Sequence, residues 1–513
     1  MEFQSFSTLL FFTFLLFLFI MIMKKGRWPT TQNPIPKLPP GPPKLPIIGN
    51  IHQLLGPLPH HILTDLARKY GPLMHLKLGH LSTIVISSSR MAKEIMRTHD
   101  LNFAMRPKLL ALEITAYGST NVTFSPYGDY WRQLRKICTL ELLSASRVES
   151  FRSIREEEVS NLIWTVYNSA GSPVNLSDMF LTIINNMISR ATVGKTCKER
   201  EVFIDAVKEG VKAVAGMDIS DFYPSLGFLS LITGLRFRLE RIHRKFDRIL
   251  SDIIKEHKQK HATVGMNCNE SNDEDFVDVL LRLQLHGNLE FPLTTNNVKA
   301  IILDMMGAGT DTSSTFLEWA MAEMVKNPRV MEKAQAEVRQ VFKGKGKVDE
   351  RDTNKLNYLK LVIKETLRLH PPAPLVPREC REKCEIDGYE IPVTTRVILN
   401  IWAIGRDPEH WDDPDSFKPE RFDGTSIDYK GTHFEYVPFG AGRRICPGMT
   451  IGMANVVLPL ANLLYYFDWK LPSGMKGEDL DMTEAFSATI PRKYNLCLVP
   501  IPCIPLPTEL KEI

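Results

Sequence analysis

Ten consecutive residues, Phe439-Gly440-Ala441-Gly442-Arg443-Arg444-Ile445-Cys446-Pro447-Gly448, restrict what this chain can build more than any other stretch. Glycines open backbone conformations closed to other residues and let a flat ligand approach the main chain, while Pro447 withholds a competing donor. One thiol is thereby presented on a fixed loop. The run from Met449 to Tyr466 that follows can form a helix, and the dipole at its N-terminus favours a thiolate. An isolated cysteine is more often an apolar core filler. Its ten-residue setting reverses that expectation for Cys446.

The other seven cysteines, Cys138, Cys197, Cys268, Cys380, Cys384, Cys497 and Cys503, are scattered over 513 residues, too large a chain to need disulfide staples. No Cys-x-x-Cys occurs, and His257-x-x-x-His261 has no cysteine pair upstream to complete a structural zinc site. With 44% hydrophobic and 24% charged residues the composition is globular and allows a large core. A net charge of +4 from 63 basic and 59 acidic residues lacks the basic stripe that nucleic-acid binding needs.

From Phe3 to Met23 the chain carries no charge, long enough for a helix of about 31 Å that crosses one hydrocarbon core. Lys24, Lys25 and Arg27 follow directly where a cleaved signal would have small residues, so the segment reads as a retained anchor with the body on the cytosolic side. Reduced thiols follow, and Asn121, Asn175 and Asn269 become chance sequons. Pro39, Pro40, Pro42, Pro43 and Pro46 exclude helix and suggest a semi-rigid linker. The expected organisation is an anchor over 1–25, a basic and proline-rich hinge over 26–50, and one body over 51–513.

Within the body, His75 to Leu78 and Thr83 to Ser87 around Gly79 predict a hairpin. Amphipathic spacing predicts several helices from Glu149 to His261, and a helix of roughly 50 Å from Thr294 to Asn327, closed by Pro328. The turn dipeptide Asp387-Gly388 introduces short strands at Tyr389 to Val393 and Arg396 to Asn400. The fold class is mainly α with a small β-rich part.

Two further groups carry chemistry. Glu365 and Arg368 are helical neighbours able to form an ion pair, which on a surface would be worth little. Ala308-Gly309-Thr310-Asp311-Thr312 sets small residues beside an acid and hydroxyls inside the long helix, where a glycine costs about 1 kcal/mol relative to alanine. Close helix packing explains such a glycine, and so does room for a small ligand; a helical Thr can also simply bond back to a carbonyl.

These segments resemble the cytochrome P450 superfamily along essentially the whole chain, and plant A-type members most closely. Phe439 to Gly448 matches its haem-binding signature, Lys364-Glu365-Thr366-Leu367-Arg368 its Glu-x-x-Arg, and Pro419-Glu420-Arg421-Phe422 its later arginine element. The resemblance implies the P450 fold with one N-terminal transmembrane helix in the endoplasmic reticulum membrane. It implies haem b with Cys446 as axial ligand and Phe439 against it, Arg421 completing a lock with Glu365 and Arg368, and Trp131, Arg135, Arg378 and Arg444 on the propionates. Gly309 is then expected to leave room for dioxygen, with Asp311 and Thr312 delivering protons. A thiolate ligand implies oxygen activation.

No Walker A loop or complete Gly-x-Gly-x-x-Gly is present, so the resemblance implies a separate NADPH-cytochrome P450 reductase, docking near Lys136 and Arg443. Family substrate-contact segments correspond to Lys108 to Gly118, Ile301 to Thr312, Ala373 to Pro377 and Phe486 to Pro491, mostly apolar, which implies a hydrophobic substrate. The wording of Leu226 to Arg244 is similar to terpenoid oxidases of diterpenes or sesquiterpenes. Phe222, Tyr223, Phe228, Leu229 and Ile232 are candidates for a second, shallow membrane contact. Alternatives are an alkaloid or phenolic oxidase, a reductase-independent haem-thiolate isomerase or dehydratase, and a non-catalytic haem binder.

Overall fold

A computed structural model describes residues 36–215, 219–264 and 274–507, with Thr13 alone before them. The anchor and the sequon at Asn269 therefore lie outside the described residues, Thr13 apart. Helices dominate, and five of them frame the cysteine loop: α1 (Asp129–Lys136), α2 (Leu176–Val193), α3 (Thr295–Lys326), α4 (Asn357–Leu369) and α5 (Met449–Tyr466).

Helix α3 spans about 48 Å at 1.5 Å per residue, as the spacing predicted. Its start is fixed reciprocally: Thr294 Oγ1 accepts from the Asn297 amide at 3.2 Å, and Asn297 Oδ1 accepts from the Thr294 amide at 2.9 Å. Its end falls at Asn327, because Pro328 disfavours helical backbone in the residue before it and opens the next helix. Helix α5 is apolar and long enough to cross a membrane, yet Leu458, Leu460, Ala461, Leu463 and Leu464 are fully buried. It is a core helix.

The strands are β1 (Leu73–Leu78), β2 (Leu81–Ile86), β3 (Val174–Asn175), β4 (Leu375–Glu379), β5 (Cys384–Ile386), β6 (Tyr389–Ile391), β7 (Arg396–Asn400), β8 (Phe467–Lys470) and β9 (Cys497–Pro502). The expected hairpin is β1/β2, turning at Gly79-His80 with Leu78 opposite Leu81. Strand β7 lies parallel to β2 and antiparallel to β4, giving the order β1-β2-β7-β4. Strand β6 does not share that sheet. It pairs with β5 across Asp387-Gly388, where both residues have positive φ, the geometry of a two-residue hairpin turn. Val174, Cys497 and the β8 segment form a third small sheet.

The described part of the proline-rich stretch is bound to the body. The His75 amide donates to the Pro40 carbonyl at 2.8 Å, and Asn50 Nδ2 donates to the Pro42 and Pro43 carbonyls at 3.2 and 3.1 Å. Beside it an apolar surface is open: Leu45, Ile47, Leu55, Phe228 and Ile232 are exposed. Tyr223 departs from the expected membrane-facing role, for it is buried and its hydroxyl donates to the Ile47 carbonyl at 3.0 Å. Phe222 packs against the β1/β2 cluster. Nothing is described of the Leu229 side chain.

Candidate active site

The cysteine loop is held from both ends. The Cys446 amide donates to the Phe439 carbonyl at 3.0 Å, closing the ring, and a short helical turn at Gly442–Arg444 sits inside it. Gly442 has φ +69°, and a Cβ there would lie 2.3 Å from the Met96 carbonyl oxygen, so no other residue fits. Asp100 accepts from the Arg443 amide at 3.1 Å and tethers the turn. Burial pushes the Cys446 thiol up, while the Gly448 N–H and Arg135 pull it down. Desolvation outweighs those two. Unligated, Cys446 is a neutral thiol; a coordinated metal would deprotonate it. Phe439 packs its ring edge-on against Tyr429 at 5.5 Å.

Beside this loop four guanidinium groups gather. Burial and repulsion from neighbouring guanidinium groups drive Arg378 well below its ordinary range and Arg444 to about 9, while burial takes Arg106 to about 10 and lowers Arg135. A guanidinium keeps its proton in a protein, so these shifts signal positive charge without enough counter-charge. Arg444 spreads its donors over the carbonyls of Ala104 (2.8 Å), Val122 (3.2 Å) and Ser125 (2.6 Å), with its guanidinium 4.3 Å above the Trp131 ring. Trp131 Nε1 also donates to the Val122 carbonyl, at 2.9 Å. Arg106, which sequence reasoning missed, donates to the Thr123 carbonyl at 3.1 Å and to the Pro377 carbonyl. Arg378 differs. It is buried on β4, and its Nη1 finds no hydrogen-bond partner among the described residues. A buried, unpartnered donor in a cluster of like charge asks for an anion. One thiol for a metal, beside guanidinium groups for carboxylates, fits haem b.

On α3, Asp311 and Thr312 are held by different partners. Asp311 Oδ2 accepts from Thr489 Oγ1 at 2.5 Å, and burial raises its carboxyl against that bond. Thr312 Oγ1 donates to the Ala308 carbonyl at 2.7 Å, leaving its lone pairs to accept. Thr489, in the Phe486 to Pro491 segment, was not singled out in the sequence. Gly309 corrects an expectation: a Cβ there would meet Ile188 Cδ1 of α2 at 3.0 Å, so this glycine serves helix packing. The accessible small residue is Ala308.

One turn earlier, Asp304 accepts from the Asn121 amide group at 2.7 Å and the Thr123 N–H at 3.1 Å, and burial lifts it to about 6. Asn121, buried in that bond, has no space for a glycan.

Behind the loop, Glu365 and Arg368 are fully buried. Arg368 donates to Glu365 at 2.7 and 2.8 Å and to the carbonyls of Gly405, Pro414 and Ser416, while Arg421 Nε reaches Glu365 at 2.9 Å. The expected three-residue lock is present, joining α4 to the chain before the cysteine loop.

The family profile described as Cytochrome P450 matches residues 39–498. Over 502 residues the chain is 57% identical to the desmethyl-deoxy-podophyllotoxin synthase of Sinopodophyllum hexandrum, covering 98% of this chain and 97% of that protein. It is 54% identical over 503 residues to the premnaspirodiene oxygenase of Hyoscyamus muticus, covering 98% and 99%. Among solved structures, a zebra fish cytochrome P450 with progesterone shares 25% identity at a TM-score of 0.74, covering 87% of this chain and all of that one. Near-full-length agreement of this kind, on a chain whose lone loop thiol faces a pool of unbalanced guanidinium charge, makes this protein a member of the cytochrome P450 family.

Proposed function

We propose that the chain is a haem-thiolate monooxygenase that oxidises a hydrophobic plant metabolite, most simply a terpenoid, with dioxygen and electrons passed from NADPH by a separate reductase. The observation that carries the haem-thiolate part is the unpartnered Arg378 beside the Cys446 loop. Haem, when bound, activates dioxygen and transfers one oxygen atom to substrate. The chain's own residues do the rest. Cys446 would hold the metal as thiolate, and Arg378 and Arg135 would take the carboxylates. Burial raises the Asp311 carboxyl toward holding a proton, and the Thr312 oxygen is free to accept a hydrogen bond. Exposed Lys136 and Arg443 support a reductase docking face there, and an anchored body on the cytosolic side of the endoplasmic reticulum would meet such a partner.

The terpenoid reading is supported by the relationship to premnaspirodiene oxygenase; the 57% identical podophyllotoxin-pathway relative favours phenolic substrates as a second reading. The test is the chain co-expressed in microsomes with a plant reductase and offered premnaspirodiene-like hydrocarbons in one arm and podophyllotoxin-type phenolics in the other. Oxygenated product that requires NADPH supports the proposal and its arm names the substrate class. Turnover of a peroxide substrate without NADPH would replace it with the isomerase reading.

A further inference from the structure

Cys380 and Cys384 stand two and six residues beyond Arg378, outside the machinery described above. Cys380 directly follows β4 and is fixed: its amide donates to the Thr395 carbonyl at 2.9 Å, its carbonyl accepts from Thr394 at 2.8 Å, and its Sγ lies 3.0 Å from the Glu382 carbonyl. Cys384 opens β5 opposite Ile391. The turn between them folds back: Cys380 Sγ lies 3.9 Å from the carbonyl of Ile391, the residue opposite Cys384, and the Cys384 side chain packs against the cluster that holds Cys380. Cys380 is buried; Cys384 is partly accessible, on a turn whose Arg381, Glu382 and Lys383 are exposed. We propose that Cys380 and Cys384 form a peroxide-oxidisable pair that closes to an intramolecular disulfide, with Cys384 the sulfur attacked first and Cys380 the one that resolves it.

The chemistry balances with hydrogen peroxide as oxidant. The Cys384 thiolate attacks one peroxide oxygen; the O–O bond breaks, an S–O bond forms, and hydroxide leaves to become water. The Cys380 sulfur gives up its proton and attacks the Cys384 sulfur; the S–O bond breaks, the S–S bond forms, and the second hydroxide leaves as water. Two thiols and one peroxide yield one disulfide and two waters, the thiols losing two electrons and the peroxide gaining them.

The order of attack follows from the surroundings. Cys384 is the more accessible sulfur, and Cys380 and Asn102 beside it lower its thiol, whereas its thiol neighbour and burial raise the buried Cys380. Exposed Cys503 is the natural internal reference, because burial and Asp468 raise it. The reducing cytosol expected for the body would keep the pair as thiols until peroxide appears. Ring closure would restrain the end of the strand that carries Arg378.

The experiment treats purified full-length protein with graded hydrogen peroxide without NADPH, alkylates the remaining thiols, and maps peptides without reduction. A Cys380–Cys384 linked peptide, reversed by dithiothreitol, should appear, with Cys384 consumed about tenfold faster than Cys503, as its greater thiolate character requires. In Cys380→Ser a sulfenic acid on Cys384 should persist and take a dimedone label; in Cys384→Ser, Cys380 should remain a thiol at the same dose. Prior unfolding in guanidinium should erase the difference in rate, a control that holds even if a variant folds poorly. Both thiols remaining alkylatable after Cys503 is oxidised, or Cys384 pairing with another cysteine instead, would overturn the proposal.

Discussion

Gly309→Ala separates packing from ligand room. An added Cβ would lie 3.0 Å from Ile188 Cδ1, 3.3 Å from Cγ1 and 3.6 Å from Cγ2, where carbon pairs prefer about 3.5–4.0 Å. Overpacking of this kind costs about 1–3 kcal/mol. Alanine in place of mid-helix glycine returns about 1 kcal/mol, so the net loss is about 0–2 kcal/mol. The discriminating variant is Ile188→Val, which deletes the Cδ1 atom nearest the new Cβ. By itself it costs about 0.5–1.5 kcal/mol, but in its background Gly309→Ala should become neutral or stabilising. The two sites should therefore couple by about 1–3 kcal/mol, within the range for residues in contact. Chemical unfolding of all four proteins measures the cycle, with the carbon monoxide spectrum checking that each binds haem. Equal cost of Gly309→Ala in both backgrounds would refute the packing reading. A fall in dioxygen binding rate at unchanged stability would restore the ligand-room expectation.

Glu365→Gln should destabilise the fold by about 3–5 kcal/mol, because two guanidinium groups lose a buried counter-charge; wild-type unfolding and haem content would show that the lock is ornamental. Arg378→Met should speed haem transfer to apomyoglobin by about 10- to 100-fold, one charge-assisted bond, without destabilising the haem-free protein; unchanged transfer would remove Arg378 from the propionate set. Thr312→Ala should keep the carbon monoxide spectrum yet lower product formed per NADPH and raise peroxide, by a factor near the lower end of about 100- to 10,000-fold since water can replace a hydroxyl; an unchanged ratio makes Thr312 a packing residue. Asp304 is raised from 3.8 to about 6 in the fold, so its contribution to stability is full below about pH 4 and is lost as pH rises through about 6; Asp304→Asn should gain relative to wild type between about pH 4 and 6 and hold that gain above it, and parallel profiles across that window would contradict the burial assignment.

Elements set by local chemistry were legible in the sequence. Thr294 and Pro328 bracket α3, Gly448 precedes α5, and Asp387-Gly388 turns a hairpin, because caps, prolines and turn dipeptides act on their immediate neighbours. The partner of β6 was not legible, since pairing with β5 rather than β7 depends on residues beyond the turn. The arginine set was half legible. Arg378, Arg135 and Arg444 came from motifs, but Arg106 sits in a Met-Arg-Pro context with nothing to mark it. The motif also could not tell that Arg444 spends its donors on carbonyls while Arg378 keeps one free, a difference made by the 122–125 loop that folds against Arg444.

The misreading of Gly309 had only a partial signal in the sequence. At about 100° per residue, positions three, four and seven apart share a helix face. Counting back and forward from Gly309 gives Ile302, Met305, Met306, Thr312, Ser313 and Phe316; all but Thr312 are buried, and four of them are large and apolar. That stripe must pack against another element, and α2 supplies Ile188. Counting from Thr312 gives Gly309 itself, Ala308 one turn below and Asp304 two turns below, so Gly309 lies at the edge between the apolar stripe and one that carries groups able to hold a proton. The apolar stripe fixes α3 against α2, the neighbouring stripe carries the polar atoms, and Gly309 borders both. At that edge helical spacing alone leaves Gly309 on either face, and what assigns it to packing is the atom its Cβ would meet, Ile188 Cδ1 at 3.0 Å.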